Sequence, residues 1–395
     1  MKLLVVSHSY MEQMPRQKWH ALRVVAPEIE LLVLTPRFWR EPELWSVRCL
    51  PHEGSGLRVV PLSIALDGFV SRHFYISPAL PRLVRRFRPD VIQVEAEPWS
   101  LVYAQMVLLR GLLAPHAKLV FFTWQNTPRK IPVPFRLSHR VCLAATDLVI
   151  AGNHGALEVL RAHGYRGPIE FAPQLGVDDA VFRPAPPDSA VLQRHHLAGK
   201  FVVGYVGRLI RPKGVDTLVE AVARLGAENL RLLIVGEGPE RVKLEAQAAR
   251  WGIRSQVEFT GVIAREAIPK YMTCMNLLVL PSRREQWEQF GHVLVEAMAC
   301  GAPVIGSNSG EIPYVIGNAG QVFPMADSGA LAECIRRLMQ DGGYAAQCRQ
   351  KGFRRVQEKF THAAVARHLA KAYLGLCPGA EPCQESITPM PTMPM

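Results

Sequence analysis

A two-domain α/β protein with parallel sheets is the fold class this chain predicts, on three observations. Short apolar runs alternate with segments of helical period along most of the length, the pattern of successive βαβ units. That alternation begins twice, at Met1-Lys-Leu-Leu-Val-Val6 and again at Phe201-Val-Val-Gly-Tyr-Val206. Between the two beginnings lies Pro184-Ala-Pro-Pro-Asp-Ser189, a linker by composition. At 395 residues the chain is also too long for one ordinary core.

In the first half, residues 1–8 read as a strand running into a polar loop at 9–18, with a helix at 19–25 and a strand at 30–36. This is a βαβ order, so the sheet is expected to be parallel. Residues 57–61, 90–95, 118–123 and 147–151 read as further strands, and 153–163 as a helix. The stretch 80–88 reads as a helix with an exposed basic face, from Arg82, Arg85, Arg86 and Arg88. Glu95, Glu97 and Trp99 follow a strand's carboxyl end, where parallel sheets bind ligands. Residues 127–139 interleave basic and apolar side chains, and Pro128, Pro132 and Pro134 argue against a regular helix before about Phe135. That segment is read as a loop bordering a cleft or a bilayer, or as a plain connector.

In the second half, the strand at 201–207 is followed by Gly207-Arg-Leu-Ile-Arg-Pro-Lys-Gly214 and a helix at 215–225. A helix start with cations beside it suits a phosphate, since amides and dipole face the anion. It is not a Walker loop, because the spaced glycines and the Lys-Ser/Thr pair are missing. A strand at 232–235 ends in the turn Gly236-Glu-Gly238, and another at 257–261 is followed by Val262 and Ile263. Helices are expected at 327–338 and 355–376, and a disordered tail, rich in proline and methionine, at 378–395.

The most informative stretch lies between. Leu277-Leu-Val-Leu-Pro281 reads as a buried strand, and Phe290-Gly291 breaks the extended segment that follows it. Val293, Leu294, Ala297 and Met298 recur at helical spacing until Gly301 and Pro303 end the helix, and 302–305 starts the next strand. Glu288 thus sits in a loop at a strand's carboxyl end and Glu296 on the helix that leaves it. Two acids eight residues apart say little alone. The whole string, Glu288-x7-Glu296 with Phe290-Gly291 between and then Glu-Ala-Met-Ala-Cys-Gly-x-Pro-Val-Ile, resembles the signature of family 4 retaining glycosyltransferases of the GT-B fold.

The resemblance implies two Rossmann-like domains facing each other across a cleft, the first for an acceptor and the second for a nucleoside-diphosphate sugar. The boundaries expected are 1–184, a hinge at 185–200, a donor domain at 201–354, a helix at 355–377 packing back on the first domain, and the tail. By resemblance Arg208 and Lys213 bind the donor's phosphates, Glu288 lies beside the sugar and diphosphate, and Glu296 holds the ribose hydroxyls. Gly207, Gly236, Gly238, Phe290 and Gly291 complete the donor site. On the acceptor side the family's usual features are altered. The first loop lacks glycine and offers Arg16 and Lys18 for an anion. Gln125 and Asn126 stand near the place of a common histidine. Glu311, in an imperfect match to a Gly-Gly-x-Pro-Glu segment, is given no role.

A net charge of +12 and a pI near 9.5 imply attraction to something anionic. No zinc finger, RNA-recognition motif or aromatic-basic alternation favours nucleic acid. The eight cysteines are scattered without metal spacing, so reduced thiols, a cytoplasmic setting and no metal are expected. No stretch of about twenty apolar residues is present. The expected partners are a nucleotide sugar, an acceptor glycan, glycolipid or small molecule, and an anionic membrane touched peripherally on its inner face. No cofactor is expected. The rival from another class is an inactive GT-B-fold protein docking an anionic membrane or nucleic acid through its basic surface; a nucleotide-sugar epimerase is the rival within enzymes.

Overall fold

The computed structural model describes residues 1–12, 14–40, 46–54, 56–128, 130–283 and 288–377. The tail expected at 378–395 lies outside these residues, as do 284–287 of the central motif. The chain divides into two compact units. One comprises Met1–Phe122, Ile131–Val149 and the chain from Ala366, and the other Thr123–Lys130 and Ile150–Val365.

The first unit is built on a sheet in which Lys118–Thr123, Val91–Val94, Lys2–Val6, Glu30–Pro36 and Leu57–Leu62 follow one another, all parallel. His52–Gly54 closes one edge antiparallel. Val91–Val94 and Lys2–Val6 are nearly continuous apolar runs because both faces of a parallel sheet are covered. Beneath their carboxyl ends lies a buried polar network. Lys18, 1% exposed, sits 3.1 Å from Glu95, with the rings of Tyr10, Trp19 and Phe122 around its ammonium. Glu95 also accepts from the Tyr10 hydroxyl and from Gln93, and Gln93 accepts from Tyr373 on the helix His362–Leu376. Burial pulls Lys18 below the usual lysine pKa, against the pull of the Glu95 charge.

The second unit holds six parallel strands in the order Val257–Gly261, Leu230–Val235, Phe201–Val206, Leu277–Leu280, Val304–Ser307 and Gly320–Phe323. Helices Val215–Leu225, His292–Ala299 and Ser328–Gln340 bury apolar stripes in its two cores. From Phe201–Val206 the strands run outward to one side, and the chain then restarts at its other flank with Leu277–Leu280. That reversal is a topological switch point, where open α/β sheets bind ligands.

Three local departures from expectation have physical causes. The single helix expected at 355–376 is two, Gly342–Lys359 and His362–Leu376. Phe360 turns into the core, Val177 takes the backbone groups of Phe360 and His362 in a strand-like bridge, and the Thr361 hydroxyl caps the new helix at Ala364. The proline-rich stretch after 184 carries a short helix, Ser189–Arg194, capped by Asp188, with Val191 and Leu197 in the core. Lys18 belongs to the helix Gln17–Val25 rather than to the loop before it.

Candidate functional site

Two loops leave the strands that flank the switch point of the second sheet, and they carry the chemistry. Gly214, at φ +65°, begins the helix Val215–Leu225, and a Cβ there would lie 2.1 Å from the Pro281 carbonyl. Glycine therefore lets the first loop touch the second. The Arg283 amide bonds the Pro212 carbonyl at 2.8 Å, and the Arg283 guanidinium meets Asp216 at 2.5 Å. Within this frame the Lys213 ammonium lies 2.5 Å from a Glu288 oxygen, which also accepts from the Ser282 hydroxyl at 2.8 Å. The Ser307 hydroxyl in turn fixes the Ser282 carbonyl. Two residues 75 apart in sequence are thus held as a partly buried ion pair.

Arg208 is exposed to solvent, and its carbonyl accepts from the buried Tyr205 hydroxyl at 2.9 Å. Gly207, Gly236 and Gly238 stack the first loop on the neighbouring turn. A Cβ on Gly236, at φ +139°, would lie 1.9 Å from the Gly207 carbonyl. One on Gly238 would lie 2.3 Å from the Leu209 carbonyl. Glu296, on the helix His292–Ala299, is largely buried, and Arg265 approaches it at 3.1 Å. Burial raises the Glu296 pKa, while the Arg265 charge and hydrogen bond oppose that rise. Phe290 is in the core, edge-on to Phe360 at 5.6 Å, so it anchors the loop by packing. Gly291, at φ +81°, starts the helix that carries Glu296. The structure therefore brings Gly207, Arg208, Lys213, Gly236, Gly238, Glu288, Phe290, Gly291 and Glu296 into one unit.

Of the four residues expected on an acceptor side, Arg16 and Lys18 lie in the first unit and Gln125 and Asn126 in the second. Arg16 is 5% exposed and turns inward, donating to the Tyr10 and Met11 carbonyls at 2.8 and 2.7 Å. Lys18 is committed to Glu95. Their charges are used to close the first unit's interior, which corrects the expectation that they face an anion. Gln125 donates to the Thr127 carbonyl at 3.0 Å and is half-buried. Asn126 is buried and lines a recess with Asn153, His154, Glu158, Ser309 and Glu311. Glu311 was given no role, yet it is 4% exposed and accepts from both the amide and the ring of His154, at 2.9 and 2.6 Å. Its amide bonds the Glu288 carbonyl at 3.0 Å. Ser282 and Arg265, the partners of Glu288 and Glu296, also went unmarked, since neither has a motif of its own.

Comparisons with known proteins agree with this arrangement. The family model "Glycosyl transferases group 1" matches residues 192–355, which contain both loops. A GDP-mannose-dependent alpha-(1-6)-phosphatidylinositol monomannoside mannosyltransferase of Mycobacterium tuberculosis is 31% identical, covering 82% of this chain and 81% of that protein. A 2-deoxystreptamine glucosyltransferase of Streptomyces kanamyceticus is 28% identical over 66% of this chain and 70% of its own length. Among solved structures, Anabaena HepE in complex with UDP superposes with a TM-score of 0.70 at 19% identity, covering 95% of this chain and 99% of that one. Sucrose-phosphate synthase from Thermosynechococcus elongatus gives 0.68 at 22% identity, over 95% and 99% of the two chains. The fold is GT-B, and with one relative matched at this identity over four-fifths of its length, the chain belongs to the group 1 glycosyltransferases and is a glycosyltransferase.

Proposed function

We propose that this enzyme moves a hexose from a nucleoside-diphosphate sugar to an acceptor hydroxyl, retaining the anomeric configuration and needing no metal ion. The observation that carries this reading is the Lys213–Glu288 pair at the switch point, with Arg208 exposed on the loop that also carries Lys213. Arg208 and Lys213 supply two cations for the departing diphosphate, the role a metal ion fills elsewhere. The acceptor oxygen attacks the anomeric carbon on the face from which the diphosphate leaves. The bond from that carbon to the phosphate oxygen breaks, its electron pair stays on the phosphate, and the acceptor proton passes to that oxygen. Glu288 keeps Lys213 aimed and accepts from hydroxyls of the hexose, while Glu296 accepts from those of the ribose. Orientation and charge neutralisation carry the catalysis, without a covalent intermediate.

The names of relatives support a nucleotide donor: one is GDP-mannose-dependent, and one structural neighbour holds UDP. They also name acceptors of two kinds, a 2-deoxystreptamine and a phosphatidylinositol monomannoside, so a small molecule, glycan or glycolipid acceptor suits this chain. Peripheral contact with the inner face of an anionic membrane belongs to the same reading. It is supported by Val133, Leu137 and Val141, which are four residues apart and all exposed, with Arg136 and Arg140 exposed among them.

The test is nucleoside-diphosphate release from UDP-, GDP- and ADP-hexoses, with NMR of the product's anomeric proton. Transfer with retention, unaffected by EDTA and reduced about 100- to 1,000-fold in kcat by Lys213→Ala, is expected. An inverted product, or full activity in Lys213→Ala, would sink this reading.

A further inference from the structure

The second unit carries another recess, of about 470 Å3, at the end of its sheet opposite the Lys213–Glu288 pair. Val202, Asn276 and Ala302 line it, and they stand at the amino ends of the adjacent strands Phe201–Val206, Leu277–Leu280 and Val304–Ser307. Lys213 and Glu288 follow the carboxyl ends of the first two. At about 3.3 Å per residue, Phe201–Val206 sets the two ends about 17 Å apart, so this recess is separate from the donor loops. Its volume is that of a small-molecule site.

The walls are apolar and the charge is of one sign. Leu197, Val202, Met272, Met275, Cys300 and Ala302 are all buried. A Cβ on Gly204 would lie 2.0 Å from the Met275 sulfur, so that thioether lies directly on the strand. Burial pushes the Cys300 thiol up to about 12, so it stays protonated and acts as apolar surface. Among the described residues of the lining, the charged ones are Lys200, half-buried, and Arg349, exposed, and none is acidic. The Arg349 Nε donates to the Gly301 carbonyl at 2.8 Å, which holds the guanidinium beside the recess and uses one of its five N–H groups. Asp188 of the linker is committed elsewhere: its carboxylate accepts from the Ala190 and Val191 amides, at 3.0 Å each, and pairs with Lys270 at 3.9 Å. The helices Ile268–Met272 and His292–Ala299 end at this recess, and each carboxyl end adds at most about half a negative charge. Two whole cations outweigh them.

A neutral apolar molecule would leave both cations unused, and a cationic head would meet like charge. We propose that this recess is a second binding site, taking an amphipathic anion: an unbranched alkyl chain against the methionines, with one carboxylate or phosphate head held by Lys200 and Arg349. Thioether side chains adapt to a flexible chain, and the guanidinium and ammonium give the head charge-assisted hydrogen bonds.

The experiment is calorimetric titration of the full chain with decanoate, decyl phosphate, decanol and decylamine, beside NMR of protein labelled at the methionine methyls. At least one anion should bind, with decanol and decylamine about tenfold weaker or more. It should shift the Met272 and Met275 methyl signals, assigned with Met272→Leu and Met275→Leu. Binding of decanoate alone or of decyl phosphate alone supports the proposal and names the head. Lys200→Glu and Arg349→Glu should each weaken the anion about tenfold or more with Tm unchanged. Leu192→Trp, which fills the recess from a half-buried position, should abolish binding. Binding should persist in Lys213→Ala and under saturating UDP or GDP. Absence of binding by both anions would overturn the proposal, as would equal binding of decanol or decylamine. So would methyl shifts that spare Met272 and Met275, or loss of the anion in Lys213→Ala, which would put it at the donor loops.

Discussion

Glu296 and Arg265 set a pH dependence that belongs to single residues. Burial makes the Glu296 carboxylate costly, so its pKa lies above that of a free glutamate, and Arg265 limits the rise. The proposed hold of Glu296 on the ribose hydroxyls needs its ionised form. Donor KM is therefore expected to be flat at neutral pH and to climb as pH falls through this raised pKa, earlier than a free glutamate would allow. Because the folded state binds this proton more readily than the unfolded one, protonation of Glu296 stabilises the fold. The loss of binding is thus not unfolding. Arg265→Ala should shift the climb to higher pH. An unchanged KM profile in that variant would show that Glu296 does not touch the donor. The Lys213–Glu288 pair follows the same logic at closer range, with each charge left half-buried if the other is removed.

At the scale of elements, the helix Arg136–Ala144 stands out because its apolar stripe faces both ways. His139, Cys142 and Leu143 are buried, while Leu137 and Val141 are exposed next to Arg136 and Arg140. If that outer face seats on anionic lipid, the protein should sediment with phosphatidylserine-containing vesicles, less so at high salt. Leu137→Asp should release it with no loss of thermal stability, and equal binding by that variant would remove this helix from the account. Much of the architecture at this scale was legible in the sequence. Strands of the parallel sheets announce themselves as apolar runs, and Pro128, Pro132 and Pro134 correctly delay the helix to Arg136. Elements with weak patterns were not legible. The helix Arg241–Arg250 buries only Leu244 and Ala248, and the strand Ile169–Phe171 is three residues long and only partly buried. The break at Phe360-Thr361 depends on a bridge from Val177, a partner distant in sequence that no local period can reveal.

For the molecule as a whole, the two units differ in how much of their chemistry was readable. Loop motifs at strand ends single out Lys213 and Glu288, and the fold brings them within 2.5 Å of each other. Arg16 and Lys18 were misjudged because a loop cation and a buried, paired cation look alike in sequence; only packing around Glu95 separates them. Glu311 escaped because its role comes from His154, a residue 157 positions away. The net charge of +12 favours anionic ligands in general and cannot choose among them. The central claim is that the Lys213 loop binds a nucleoside diphosphate, and the most direct measurement is thermal stabilisation of wild type and Lys213→Ala by UDP, GDP and ADP, with and without EDTA. Binding to the native state raises Tm by mass action, by about 2.7 kcal/mol of stability at a hundredfold excess over Kd. A shift selective for one base, insensitive to EDTA and lost in Lys213→Ala is expected. No shift with any nucleotide, or an equal shift in Lys213→Ala, would contradict it.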